Sequence, residues 1–393
     1  MFKSRVVIIQ VAISGMIGAV LWGNFSLANG KELCQIGAVK TYQNRLEAAM
    51  KSTLVTPILG SVIMVMTGGG EKLGAMAGWQ DLSEKEPIDP AGLFQIGSQT
   101  KMFTSAAVQL LARQGKLDLR DEVSKYLDIR KIPGDEGITI FQLLNHTSGM
   151  GDGISLFDPP AALPTEAYDY NDMLMFARVR GKEFEPGTAW NYNNTAYHVL
   201  GRIVEKVTGQ ELKNYLRENI FKPLGMEETY LGAQEDWPVD KSNHGYSFNP
   251  GSGEVMDVTH PASLTWAGPA GDMISSLKDM QIWMRAISAK SNGFPLEIED
   301  FKRHLVRPGI DVAPPSYGLG ISALNVGGRM MWGHGGYIHG YVSLSLYDPD
   351  TDVVITTFST MRGHEKEDFR LVKEVMLMAV GAAIHGLPNC AIR

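Results

Sequence analysis

Cysteine is nearly absent. Cys34 and Cys390 are the only two in 393 residues, which leaves room for one disulfide at most. Blocks of five or six like charges are missing too, so there is no acidic or basic tail. With 36 Lys and Arg against 43 Asp and Glu, the formal charge is −7. The chain lacks the basic footprint that a nucleic-acid partner requires. None of the nine histidines stands in a His-Glu-x-x-His pair, so no metal site is expected. Gly68-Gly69-Gly70 has no Lys-Ser/Thr after it and reads as a hairpin turn rather than a phosphate loop. A Gly-x-Ser-x-Gly elbow is lacking, which argues against an α/β-hydrolase. There is no internal repeat and no low-complexity stretch, and no cofactor is called for.

What is present begins with an export signal. Lys3 and Arg5 precede an apolar run from Val6 to Trp22, and Ser26-Leu27-Ala28 has the small-x-small form of a cleavage site. Residues 1–28 therefore read as a signal peptide, which places the mature chain, 29–393, in the periplasm or outside the cell. An uncleaved anchor is the alternative, since the run is just long enough to span. No other segment is apolar enough to cross a bilayer, so no membrane span is expected after cleavage. Cys34 and Cys390 lie near opposite ends of the mature chain, and in an oxidising compartment they are candidates for a single disulfide.

The remainder has an ordinary globular balance, 44% apolar and 20% charged. Residues 39–52 have helical spacing. Residues 60–66 and 73–79 flank the glycine turn as a hairpin. Residues 101–113 read as a helix stopped by Gly115. From about 120 to 235 the pattern is helices and loops, with helices at 140–144, 167–178, 196–208 and 211–220. The last third is β-rich, with strands at 317–324, 329–332, 341–347 and 353–359, then a helix at 368–384. This order predicts an α+β fold. One antiparallel sheet would be built from both ends of the chain, about 34–97 and 260–393, with an all-helical subdomain, about 98–259, inserted between.

Three stretches carry residues suited to chemistry. In Ser98-Gln99-Thr100-Lys101 a helix would set the amine one turn from the hydroxyl, on the same face. A serine hydroxyl is a weak nucleophile that needs a nearby base, and a buried lysine has its pKa lowered toward that role. The pattern is not unique, because Ser275-Ser276-Leu277-Lys278 repeats it. Ser98 follows an apolar strand-like stretch and opens a strongly apolar helix, whereas Ser275 reads as a plain helix cap. In Tyr192-Asn193-Asn194 the phenol, its pKa lowered by an ammonium, could serve as base and then acid, and Asn194 could bond a substrate amide. Gly333-His334-Gly335-Gly336 lies between strand candidates, where glycines permit close approach of a ligand and His334 could contact the tyrosine or a substrate carboxylate. Taken singly, the last two stretches are more ordinary as a packed tyrosine and a tight turn.

In order, Ser-x-x-Lys, Tyr-x-Asn and His-x-Gly resemble the β-lactamase-related serine hydrolases, which include class C β-lactamases, D-alanyl-D-alanine carboxypeptidases and related esterases and amidases. Leu143-Leu144-Asn145-His146-Thr147-Ser148-Gly149-Met150, Phe221-Lys222-Pro223-Leu224-Gly225-Met226, Ala270-Gly271-Asp272-Met273-Ile274 and Tyr317-Gly318-Leu319-Gly320 match as well. The resemblance spans nearly the whole mature chain and implies a β-lactamase/transpeptidase-like sheet flanked by helices. It implies an acyl-enzyme at Ser98, proton work shared by Lys101 and Tyr192, and an oxyanion hole from the backbone amides of Ser98 and Tyr337. Asn194, His334, Gly335 and Gly336 would bind a small-molecule or peptide substrate, an amide or ester such as a D-alanyl peptide. Lactamases of this type carry Lys-Thr-Gly where this chain has His334-Gly335-Gly336. The cation and hydroxyl that would grip a substrate carboxylate are both missing. A catalytically silent member that only binds muropeptides or a protein is the reading from a different class.

Overall fold

The β-rich stretches at the two ends of the chain pair with each other. The computed structural model describes residues 32–54, 58–128, 137–154, 166–248, 254–261, 263–288, 293–307, 315–361 and 366–386. The expected signal peptide, Cys390 and the side chain of Cys34 lie outside the described residues.

Helix α1 (Glu32–Ser52) leads into the hairpin β1 (Ile58–Met66) and β2 (Lys72–Gly78). Strand β3 (Leu93–Gln95) and a 3₁₀ turn at Gly97–Gln99 precede α2 (Thr100–Arg113). Then come α3 (Ile140–Leu144), α4 (Tyr170–Arg180), α5 (Thr195–Thr208), α6 (Leu212–Leu216) and α7 (Lys222–Leu224). Short strands β4 (Tyr230–Leu231), β5 (Tyr246–Phe248) and β6 (Val255–Asp257) follow, then α8 (Gly268–Gly271), β7 (Met273–Ser276), α9 (Leu277–Ser288) and α10 (Ile298–Phe301). The chain closes with β8 (Ser316–Tyr317), β9 (Ser322–Val326), β10 (Arg329–Ile338), β11 (Tyr341–Asp348), β12 (Val353–Met361) and α11 (Lys366–Gly386).

The main sheet has the order β2-β1-β12-β11-β10-β9-β8, so the N-terminal hairpin joins the C-terminal meander through β1 and β12. All its pairings are antiparallel, with Val62 opposite Phe358 and Met64 opposite Thr356. Side chains alternate across the pleat. Val62, Met66, Val354 and Phe358 pack with Met102, Phe103, Val199 and Trp283 from α2, α5 and α9. Their neighbours Ile63, Val65, Val353 and Ile355 pack on the other face with Leu46 and Met50 of α1 and Val380 and Ala383 of α11. Burial on both faces explains why these strands read as continuous apolar runs rather than alternating ones. Each such side chain contributes about 1.5–3 kcal/mol.

The α+β architecture is as expected from the sequence, with three differences. The region between the sheet segments is not all-helical. It holds β4, β5 and β6, and β4 joins β7 and β3 in a separate three-stranded sheet. The strand expected at 317–324 is two, because Gly318 and Gly320 turn the chain between β8 and β9, Gly320 with φ +76°. Strand β10 runs to Ile338, so His334–Gly336 sit inside a strand rather than in a turn between strands. No described helix is long and apolar enough to cross a membrane.

Candidate active site

Ser98 stands in the 3₁₀ turn that enters α2, one turn before Lys101. Gly97 adopts φ +53°, and the turn is pinned on both sides. Thr100 Oγ1 donates to Gly97 O (2.7 Å) and accepts from Met273 N (3.2 Å), while Ser343 Oγ donates to Ile96 O (2.7 Å). Helix α2 is buried from Thr100 through Leu111, which is why a lysine on it is driven out of water. Lys101 has no exposed surface at all. Its ammonium Nζ reaches three acceptors: Ala270 O at 2.7 Å, Asn194 Oδ1 at 2.8 Å and Ser98 Oγ at 3.2 Å. Burial pulls its pKa down to about 7, and the charge of Asp152 opposes that shift. Two of the acceptors are carbonyl oxygens that can only accept. When the amine loses its third proton, its lone pair faces the Ser98 hydroxyl.

Tyr192 lies across the amine, with Nζ 4.8 Å from the ring centroid. The ammonium sits over the ring face, and the expected lowering of the phenol is not found. Burial raises the Tyr192 pKa, the Ser98 hydroxyl opposing and Asp152 adding to the rise. The phenol oxygen is buried beside the Ser98 hydroxyl and keeps its proton. The structure brings Ser98, Lys101, Tyr192 and Asn194 together.

Gly335, Gly336 and Tyr337 arrive on β10. A Cβ on Gly336 would stand 1.8 Å from Ile96 O, and one on Gly97 would stand 2.8 Å from Tyr337 N. Gly336 thus serves the approach of β10 to the Ser98 turn, not the approach of a ligand. Of these glycines Gly335 alone would place a Cβ at ordinary contact distance, with its nearest neighbours 3.7 Å away. The backbone amide of Tyr337 is thereby set beside the turn that carries Ser98.

His334 differs from the sequence expectation. Its Nδ1–H donates to Gly335 O, and its Nε2 accepts from the Tyr317 hydroxyl (2.9 Å). Both ring nitrogens are engaged, so the tyrosine it bonds is Tyr317 and not Tyr192, whose ring centroid is 6.3 Å away. Burial, then the nearby Lys101, lowers its pKa to about 3. It is neutral and brings no positive charge for a carboxylate.

The sequence reading did not single out three supporting residues. Asp152 is buried, and its carboxylate accepts from Asn194 Nδ2 (2.9 Å), Asn194 N (3.2 Å), Thr195 N (3.1 Å) and Thr195 Oγ1 (3.1 Å). His146, at φ +65°, accepts the Asn193 N–H on Nδ1 (3.1 Å) and packs its ring 4.4 Å from Tyr192. Tyr317 holds His334. The stretch from Asn145 to Met150 signalled its importance only through the family resemblance. Asp152 carried no signal, because its partner stands 42 residues away. Among the described residues no cluster of His, Cys, Asp and Glu could hold a metal ion.

The second Ser-x-x-Lys is elsewhere. Ser275 is buried on β7 and shares a hydrogen bond with Thr229 (2.9 Å), while Lys278 is exposed. The cap of α9 is Ser276 and not Ser275, since Ser276 Oγ accepts from Asp279 N (3.2 Å).

The family model described as Beta-lactamase matches residues 46–377. Protein flp of Staphylococcus aureus (strain NCTC 8325 / PS 47) is 31% identical over 231 residues, 58% of this chain and 45% of that protein. Penicillin-binding protein 4* of Bacillus subtilis (strain 168) is 33% identical over 195 residues, 48% of this chain and 42% of that protein. The chain thus spans less than half the length of these curated relatives. Among solved structures, D-amino acid amidase from Ochrobactrum anthropi SV3 superposes with a TM-score of 0.78 at 25% identity, covering 88% of this chain and 99% of that one. A D-stereospecific amidohydrolase from Streptomyces sp. superposes with a TM-score of 0.71 at 27% identity, covering 84% of this chain and 97% of that one.

Proposed function

The chain belongs to the β-lactamase family, and from that premise we propose that it is a serine hydrolase that cleaves an amide or ester of a D-amino acyl group, D-alanyl peptides included, through an acyl-enzyme at Ser98. The observation that carries this reading is the setting of Lys101, whose two carbonyl acceptors leave the third direction of its buried Nζ to the Ser98 hydroxyl. The neutral amine takes the Ser98 proton as Oγ attacks the substrate carbonyl. The oxyanion is held by the backbone amides of Ser98 and Tyr337. As the C–N or C–O bond breaks, the Tyr192 phenol protonates the departing group and recovers its proton from the Lys101 ammonium. Water enters by the reverse of these transfers, releasing the acid and restoring Ser98.

The neutral, fully engaged His334 favours substrates with no carboxylate beside the scissile bond. The amidase names of two superposed structures support an amide. Export to the periplasm or beyond the cell belongs to the same reading, supported by the charged, apolar and small-residue pattern of residues 1–28.

The test is mass spectrometry after exposure to a fluorophosphonate, with turnover measured in parallel on D-phenylalanine amide, a D-alanyl-D-alanine peptide, nitrocefin and a p-nitrophenyl ester. The expected result is an adduct on Ser98, absent in Ser98→Ala, and faster turnover of the amide and ester than of the two carboxylate-bearing substrates. An unlabelled protein with no turnover on any of the four is the result expected of a silent binding member.

A further inference from the structure

Asn194 must present its side-chain oxygen, and not its nitrogen, to the Lys101 ammonium. An amide can present either atom there with equal ease. Asp152 removes the choice. The carboxylate can only accept, and it takes Asn194 Nδ2 at 2.9 Å, which turns Oδ1 toward Nζ at 2.8 Å. The same carboxylate collects the backbone N–H of Asn194 and Thr195 at the start of α5, so the helix is capped from outside. The side chain of Asn194, standing at the cap position, makes no cap bond of its own and is left for the lysine.

We propose that Asp152 is a positioning residue that acts through Asn194 to set the protonation of the Lys101 amine, and with it the pH range in which Ser98 is activated. This rests on the reading of Lys101 as the base. The groups around Nζ leave Asp152 as the counter-charge. From the loop before α5 come Tyr192 and Asn194, from α5 Tyr197 and His198, from β10 His334, from the end of α3 His146, and from α8 a carbonyl. The phenols are protonated and the three imidazoles neutral, all by burial. The Asp152 carboxylate is the charged group among them that favours the ammonium. An aspartate here therefore holds the amine near neutrality against a burial that would take it lower still.

The experiment is the pH dependence of the second-order rate of Ser98 labelling by a fluorophosphonate, in the full chain, for the native protein, Asp152→Asn and Thr195→Val. Asp152→Asn keeps the size and one acceptor but loses the charge, and its acid limb moves to lower pH by at least about 0.5 unit. Thr195→Val removes the hydroxyl bond to Asp152 while keeping the charge and both backbone cap bonds, so its limb stays in place. If Asp152→Asn does not fold, Asn194→Ala cuts the relay while leaving the backbone cap bonds, and its limb moves the same way. A limb that stays put in Asp152→Asn or Asn194→Ala overturns the proposal, since loss of local anchoring alone lowers the rate without moving the limb. A native protein that never labels at Ser98 sinks instead the reading of Lys101 as base.

Discussion

The molecule carries the same four-residue spacing twice, and the two copies share almost nothing else. Ser98 and Lys101 open a helix buried along its length, and the lysine has no exposed surface. Ser275 lies inside β7, while Lys278 stands in water on the first turn of α9. Burial lowers the amine of Lys101 to about 7, and three acceptors hold it in place. The lesson is that spacing supplies reach, whereas desolvation supplies reactivity. A hydroxyl and an amine one turn apart become a nucleophile and a base only where water is excluded and other groups fix the remaining protons.

The largest effect expected of this contrast is at the two lysines. Lys101→Met lowers kcat/KM on a p-nitrophenyl ester by about 10³-fold, the range of a lost general base, while Lys278→Met leaves it unchanged. Equal losses in both, read from steady-state kinetics, would erase the distinction. A second pair sharpens what surrounds Ser98. Gly336→Ala forces a methyl into Ile96 O and drives β10 off the Ser98 turn, with a loss of about 10²-fold in kcat. Gly335→Ala stays within about threefold, because its nearest neighbours are at ordinary contact distance. The smallest effect belongs to the second site. Ser276→Ala removes the cap of α9 and costs about 1 kcal/mol in denaturant unfolding, with turnover intact.

Much of this was legible in the chain. The hydroxyl and amine expected to meet do so at the head of the strongly apolar helix read over 101–113, and the Tyr192 ring lies against the amine. The main sheet was legible from β-rich runs at both ends. Parts of the site were not. A glycine run inside β10 looks like a turn, since sequence does not reveal that Ile96 O needs the space of a missing Cβ at Gly336. The environment of Tyr192 was misjudged in sign, because the ammonium approaches the ring face and burial dominates the phenol. Asp152 was missed, because its partners Asn194 and Thr195 are brought to it by the fold and not by any local period.

The most direct test is the pH dependence of single-turnover acylation of Ser98 by an uncharged p-nitrophenyl ester between pH 5 and 9. Lys101 is protonated below its lowered pKa and cannot accept the Ser98 proton. The rate constant should therefore climb tenfold per pH unit on the acid side and level off above about pH 7. A rate that keeps climbing through pH 9, as an ordinary lysine near 10.5 would dictate, or one that ignores pH, contradicts the account.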